Sequence, residues 1–290
     1  MTARPRPLGR AELGKHKLPP VTEADKDAHG RLLVVGGSRN TPGSAAITAT
    51  AAMRSGCGKV TIATVASMAP HIALAVPEAL VLGLPETRDG AFARSAIRTV
   101  AERAPDYDAV VVGPGMQQSR LCSDLAARLL DLDLGRLVLD AAMLYALPAH
   151  HAAAREAATP ILLPHAREMG ALLGCDPEAV EADPLGSGLA CAARYGALTL
   201  VKGPQSHVVT PDGRAWKYQG GGPGLGVSGS GDTLAGILGG LLARGAEPLT
   251  GLLWAVWLHG EAGASLSRKV GKVGFLAREL AGEVPALLPD

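Results

Sequence analysis

Short apolar runs, each stopped by glycine, proline or a polar side chain, punctuate most of this chain and limit what it can fold into. Leu32-Leu33-Val34-Val35 ends at Gly36-Gly37-Ser38, and Ala109-Val110-Val111-Val112 ends at Gly113-Pro114-Gly115. Leu137-Val138-Leu139 ends at Asp140, Ile161-Leu162-Leu163 at Pro164-His165, and Leu198-Thr199-Leu200-Val201 at Lys202-Gly203. Residues 59–63 are one more such run. Runs without polar alternation suit strands buried on both faces, as in a parallel sheet. Helix-compatible stretches lie between them, at residues 43–53 and 121–130. The alternation predicts an α/β protein with a mainly parallel central sheet and helices on both faces. In such sheets ligands sit beyond the carboxyl ends of the strands. The polar residues of these runs fall at those ends.

After Lys202 the rhythm changes. Residues 206–210, a turn at Pro211-Asp212-Gly213 and residues 214–218 read as a hairpin. A glycine-rich stretch, residues 220–231, leads to Asp232, which opens an apolar helix over 233–243. Further helices are predicted over 250–267 and 275–288. No internal repeat or linker divides the 290 residues, so one domain is expected, with residues 1–30 as a polar, loosely packed N-terminal arm. The 28 Lys and Arg nearly balance the 27 Asp and Glu, which gives no electrostatic basis for binding nucleic acid or an acidic membrane. The most apolar stretch, residues 226–242, carries Asp232 and many glycines and is no membrane span. Residues 1–16 lack the apolar segment of a secretory signal. Cys57, Cys122, Cys175 and Cys191 are scattered, with no CxxC pair, which argues against a zinc site or disulfide scaffold and suits a reducing cytoplasm.

Gly229-Ser230-Gly231-Asp232 at the start of a helix carries the strongest chemical signal. Glycines let the backbone approach an anion, and a helix N-terminus supplies free N–H groups and partial positive charge. Asp232 then stands where a base can deprotonate a hydroxyl aligned with a transferable phosphate. The plainer alternative, that Asp232 and Ser230 only cap the helix, leaves the long glycine loop ahead of them without a purpose. A Walker A motif is absent, because Gly58-Lys59 runs into Val60. Gly224, Gly226 and Gly229 match GxGxxG, but no acidic residue follows at a second strand end, so the match reads as a product of glycine density. Lys202 either meets a phosphate or snorkels at the surface. His165 and Glu168, spaced i, i+3, either aim into a cleft, where Glu168 would hold a magnesium-bound water, or cap a helix. Asp140 either faces the same cleft or ends its strand in solvent. His259 and Glu261 do not form HExxH and read as helix packing or surface, while Trp254 and Trp257 read as core or subunit contact.

In this order, Gly36-Gly37-Ser38 with Gly43, Gly113-Pro114-Gly115, Asp140-Ala141, the Pro164 to Met169 element, Val201-Lys202-Gly203, the Pro223 to Gly236 stretch and Leu258-His259-Gly260 with Ala262-Gly263 resemble the ADP/ATP-dependent NAD(P)H-hydrate dehydratases of the ribokinase-like superfamily. The resemblance runs from about Arg31 to the C-terminus. GSGD alone is shared with many kinases; the ordered set is far more specific. It implies repair of NADH or NADPH hydrates, in which water has added across the nicotinamide ring. ADP or ATP phosphorylates the ring hydroxyl with Mg2+ assisting, phosphate is eliminated, and ADP yields AMP.

By the family pattern Asp232 is the base, and Gly229, Ser230 and Gly231 form the anion hole. Lys202, Gly203, Pro204, Gln205 and Ser206, with Gly231, line the nucleotide site. Ser44, Gly115, His165 and Asp232 contact the hydrated dinucleotide, and Glu168 serves the metal. The resemblance also implies a homo-oligomer, with a tetramer as the candidate. The epimerase domain often fused ahead of such chains does not fit in thirty residues. Ser44, Gln117, Ala142 and Arg167 depart from the usual family residues, and three of them, Ser44, Gln117 and Arg167, are placed near the dinucleotide. Two other readings stay open: an ATP-dependent kinase of a small hydroxylated metabolite, and a nucleotide-binding regulator without turnover.

Overall fold

The computed structural model describes residues 4–20, 29–147 and 159–289. Among the described residues ten strands form one sheet: β1 (Arg6–Pro7), β2 (Arg31–Val35), β3 (Lys59–Val65), β4 (Leu80–Leu84), β5 (Ala109–Val112), β6 (Leu137–Leu139), β7 (Ile161–Leu162), β8 (Leu198–Val201), β9 (Ser206–Val209) and β10 (Ala215–Tyr218). Their spatial order is β1-β10-β9-β8-β7-β6-β5-β2-β3-β4. From β4 to β8 every pairing is parallel. The β9–β10 hairpin then adds antiparallel strands, as the Asp-Gly turn predicts, and β1 pairs parallel to β10. The helices are α1 (Arg10–Leu13), α2 (Gly43–Arg54), α3 (Ala69–Ala75), α4 (Ala96–Arg103), α5 (Arg120–Leu130), α6 (Ala166–Leu173), α7 (Pro177–Ala182), α8 (Pro184–Tyr195), α9 (Ser230–Ala243), α10 (Pro248–Lys269) and α11 (Ala277–Glu283).

The continuous apolar runs are explained by two cores, one on each face. Leu32, Val34, Val111 and Ile161 pack toward α2, α9 and α10. Their alternates Leu33, Val35, Val110 and Leu162 pack toward α4, α5 and α6. Alternation along a strand sends neighbours to opposite faces, so both sets must be apolar. Within the first core α9 is buried almost all round. A Cβ on Gly236 would run into the Thr48 carbonyl and one on Gly240 into that of Ala52, so α2 and α9 cross at backbone contact. This is what the glycines in the apolar run do, and it brings the N-terminal ends of both helices to one place.

Three expectations differ from the structure. β4 has no counterpart in the sequence reading; it is an edge strand with Gly83 inside it, half exposed, and lacks a fully buried pattern. The helix expected over 275–288 spans only Ala277–Glu283, because Leu276 is extended and Pro285 starts a separate 3-10 turn. Residues 4–20 are not loosely packed. Leu13 is 1% exposed, β1 adds a strand to the sheet, and Glu12 accepts hydrogen bonds from Trp216 Nε1 at 2.9 Å and Lys15 Nζ at 2.7 Å. Glu23 to Asp27 lie outside the described residues. Trp254 and Trp257 meet edge-to-face at 5.8 Å, and Trp254 Nε1 donates to the His16 carbonyl at 2.6 Å, which ties α10 to this N-terminal segment.

Glu12 therefore anchors the segment. Glu12→Ala orphans a buried indole N–H and is expected to cost about 2 kcal/mol in denaturant unfolding at pH 7. The hydrogen bond from Lys15, then that from Trp216, holds the Glu12 carboxyl below its usual range. A carboxyl depressed by folding adds stability above its unfolded pKa and loses it as pH falls through the folded value. The gap between wild type and variant is expected to narrow in acid; a gap that is constant from pH 7 to pH 3 rules out the charged anchor.

Candidate active site

The predicted site residues collect at the carboxyl ends of the parallel strands. Gly229 precedes α9 with φ 89°, the left-handed region that favours glycine, and its missing side chain leaves room for Ile47 and Ala277. α9 begins at Ser230, two residues before the predicted start, so Asp232 lies in its first turn with the free N–H groups around it. Asp232 is half-buried, and that burial pushes its carboxyl up to about 6, helped by the nearby Asp140 charge. A hydrogen bond from Ser44 and the charge of Lys202 oppose that rise.

Ser44 comes from the first turn of α2, the second helix N-terminus at the site. Gly115 lies against it: a Cβ on Gly115 would be 2.7 Å from Ser44 Cβ. Thr41 Oγ1 donates to the Gly115 carbonyl at 2.7 Å, closing the β2–α2 loop onto the β5 end. Ser44, Gly115 and Asp232, placed together by the sequence reading, are thus neighbours.

Lys202 leaves the end of β8 and runs beneath the α9 N-terminus, with its Nζ 3.6 Å from where a Gly231 Cβ would be. It donates to Asp140 Oδ1 at 2.8 Å and pairs with Glu168 Oε2 at 3.7 Å. Asp140 and Glu168 are 2% and 4% exposed, so this is a buried cluster of one cation and two anions. Burial is the largest influence on the Lys202 ammonium and opposes its charge, but the two carboxylates outweigh it and hold the ammonium above its ordinary value. Burial raises the Glu168 carboxyl; Lys202 counteracts this and Asp140 adds to it. After Asp140 the chain turns sharply: Ala141 has φ 50°, a left-handed position that costs a non-glycine residue about 1 kcal/mol. Gly113 has φ 122°, and any Cβ there would strike the Asp140 carbonyl, so the β5 and β6 ends can close up only through that glycine.

His165 and Glu168 form the capping arrangement. Glu168 N–H donates to His165 Nδ1 at 3.2 Å, and His165 N–H donates to Glu168 Oε2 at 2.8 Å, a capping box that starts α6. The same bonds aim Glu168 at Lys202 and leave the imidazole exposed. Gly203, Pro204 and Gln205 are exposed in the turn after Lys202, and Ser206 opens β9, so these four join the cluster through the chain. Of the four departures, Ser44 touches Asp232, Arg167 is exposed on α6, Gln117 lies near Asp89, and Ala142 is buried in the second core. A separate cavity of about 620 Å3, lined by Arg136, Arg214 and Glu247 among others, opens at the amino ends of the strands, away from this cluster.

His259, expected as helix packing or surface, does pack between helices, and its partner is specific: its Nε2 lies 3.0 Å from Ser230 Oγ on the first residue of α9. The spacing of His259 within Leu258-His259-Gly260 held no signal for this, since the contact joins α10 to the start of α9.

The mainly parallel sheet with helices on both faces is the ribokinase-like fold. A ribokinase-like superfamily protein of Enterococcus faecalis has this fold (TM-score 0.79, 22% identity, covering 97% of this chain and 94% of that one). The chain belongs to the NAD(P)H-hydrate dehydratase family, whose model matches residues 32–286. It is 46% identical over 269 residues to the ADP-dependent (S)-NAD(P)H-hydrate dehydratase of Xanthomonas campestris pv. campestris, covering 93% of this chain and 91% of that protein. The crystal structure of the ADP/ATP-dependent NAD(P)H-hydrate dehydratase of Bacillus subtilis, co-crystallized with ATP/Mg2+, matches with a TM-score of 0.82 and 27% identity, over 97% of both chains. The chain spans about half the length of the bifunctional NAD(P)H-hydrate repair enzymes that it also matches.

Proposed function

We propose that this protein is an ADP-dependent (S)-NAD(P)H-hydrate dehydratase, a carbon–oxygen lyase that returns hydrated NADH or NADPH to the reduced cofactor. The observation that carries this is Asp232: a half-buried carboxylate raised to about 6, at a helix start, beside Ser44 and Lys202. Asp232 takes the proton of the ring hydroxyl as that oxygen attacks the terminal phosphoryl of ADP. The N–H groups of Gly229 and Gly231 face the charge that builds on the transferred group, while that of Ser230 donates to the Val227 carbonyl at 3.2 Å and holds the turn, and the Lys202 ammonium adds positive charge from below. AMP leaves. The phosphorylated hydrate then expels phosphate, a far better leaving group than hydroxide, from one ring carbon and gives up a proton from the next to water, which restores the ring double bond. Lys202 to Ser206 line the nucleotide side, and Ser44, Gly115 and the exposed His165 line the dinucleotide side.

Magnesium fits this site in a restricted way. Among the described residues no group of three or more His, Cys, Asp or Glu side chains forms a metal cage. Mg2+ needs none, because it binds chiefly through phosphate oxygens and waters with one or two carboxylates. Glu168, buried behind Lys202, would hold such a water, and the ion would neutralise nucleotide phosphate charge. Among the described residues no helix is long and apolar enough to cross a membrane. The four cysteines are free thiols, consistent with a cytoplasmic setting, and the assembly proposed is a homo-oligomer, a tetramer by family resemblance.

Mixing the protein with hydrated NADH, ADP and Mg2+ is expected to restore the reduced-nicotinamide absorbance with one phosphate released per ring restored. Phosphate kept on an organic product would identify a kinase. Nucleotide binding without either signal would identify a regulator.

A further inference from the structure

The segment that leads into the α9 N-terminus lies flat on α10, and two glycines of α10 make the contact possible. A Cβ on Gly260 would strike the Tyr218 ring, and one on Gly263 would lie 2.7 Å from Leu225 Cδ2. Positions three apart share a helix face, so one face of α10 receives Tyr218 and then Leu225. From the other partner, Gly220 leaves room for the same ring and Gly221 for the same leucine. Tyr218 Oη donates to Glu261 Oε1 at 3.1 Å, which fixes the ring against the helix. The glycine-rich loop is therefore clamped along its length. Its last clamp is polar: His259 Nε2 lies 3.0 Å from Ser230 Oγ, on the first residue of α9.

We propose that His259 is a positioning residue for phosphoryl transfer, one that fixes Ser230 and with it the backbone N–H groups of the anion hole. The proposal rests on the reading of Gly229 to Asp232 as that hole. Ser230 is 6% exposed, so its hydroxyl has little water to turn to and one polar neighbour to hold it. An anion hole works only when its donors are fixed before charge develops. Without His259 the start of α9 keeps its apolar packing and the Thr48 and Thr233 hydrogen bonds, but loses the side-chain contact on Ser230 itself. Burial keeps the imidazole neutral, pushed down to about 4, with the Lys202 charge acting the same way and the Ser230 backbone opposing. The clamp thus adds no titrating charge to the site at neutral pH.

The test compares wild type, His259→Leu, His259→Gln and Ser230→Ala, each checked for folding by thermal melting. Two readouts are taken: turnover, and calorimetric binding of AMP alone and of orthovanadate in the presence of AMP. Orthovanadate mimics the transferred phosphoryl. For His259→Leu, turnover is expected to fall about 30-fold and orthovanadate binding about tenfold, with AMP binding alone within about threefold. His259→Gln places an amide near the Nε2 position and is expected to recover most of both losses. Ser230→Ala is expected to match His259→Leu, and the double variant to be no worse than either single one, because both changes break one contact. Equal orthovanadate binding in wild type and His259→Leu overturns the clamp, as do losses that multiply in the double variant or wild type that binds no orthovanadate. A packing role alone would lower the melting temperature and leave the ratio of orthovanadate to AMP binding unchanged, which also overturns it. Wild type that binds orthovanadate but restores no NADH fails the dehydratase reading instead, and the orthovanadate comparison still decides the clamp.

Discussion

Asp232→Asn is expected to lower turnover by about a thousandfold while leaving ADP affinity within about threefold, because only the proton acceptor is removed. The N–H groups that face the phosphates belong to the backbone of residues 229–232 and are untouched by the change. In wild type the carboxylate is the active form, so turnover is expected to fall as pH drops through about 6, where the half-buried group takes up its proton. The direction follows from the cause: burial raises the carboxyl, Asp140 adds to it, and Ser44 and Lys202 reduce but do not cancel the rise. A carboxyl raised by folding lends stability below its unfolded pKa and loses it as pH rises through the folded value. At pH 8 the ionised side chain therefore costs the fold on the order of 3 kcal/mol. The asparagine variant is expected to melt at or above the wild-type temperature at pH 8, and the advantage should vanish by pH 4. A helix cap predicts the reverse, since removing its charge would destabilise α9. Lower melting temperature and lost ADP affinity together would move Asp232 from base to cap.

Much of this arrangement is legible in the amino-acid order, for a physical reason. A strand buried on both faces must be apolar throughout, so β2, β5, β6 and β8 stand out, and the polar residues that stop them mark where ligands sit. Asp140, Lys202 and His165 are found in this way, and Asp232 by the glycine-rich helix start that precedes it. Other features depend on contacts between distant segments. The Ser230–His259 contact joins residues 29 apart on different helices. The pairing of Lys202 with Asp140 spans 62 residues, and that of Glu12 with Trp216 spans 204. No local pattern encodes such pairs, because what selects them is the packing of complete elements. β4 was missed for the opposite reason: a half-exposed edge strand containing glycine carries neither the continuous apolar run nor clean alternation.

The Asp140–Lys202–Glu168 cluster leads to the second large effect, in which function and stability change together. Lys202→Met keeps the length of the stem and removes the ammonium between two nearly buried carboxylates. Breaking a buried pair in this way typically costs about 3–5 kcal/mol, because charges are left without compensation. Two carboxylates that share a site cannot both stay ionised, so one retains a proton in the folded variant at neutral pH. The folded state then binds more protons than the unfolded chain, and the variant loses stability as pH rises. Its deficit relative to wild type is expected to be largest near pH 8 and smallest near pH 5, read by thermal melting at both. Adding Asp140→Asn removes one of the opposed charges and is expected to restore part of the stability at pH 8. ADP affinity tells a different story. The ammonium lies 3.6 Å from the Gly231 Cβ position, under the nucleotide phosphates in the proposed complex. Both Lys202→Met and the double variant are therefore expected to bind ADP about tenfold or more weakly, a loss that restored stability does not repair. Unchanged ADP affinity in the stabilised double variant would remove Lys202 from the nucleotide site and leave it a purely structural counter-ion.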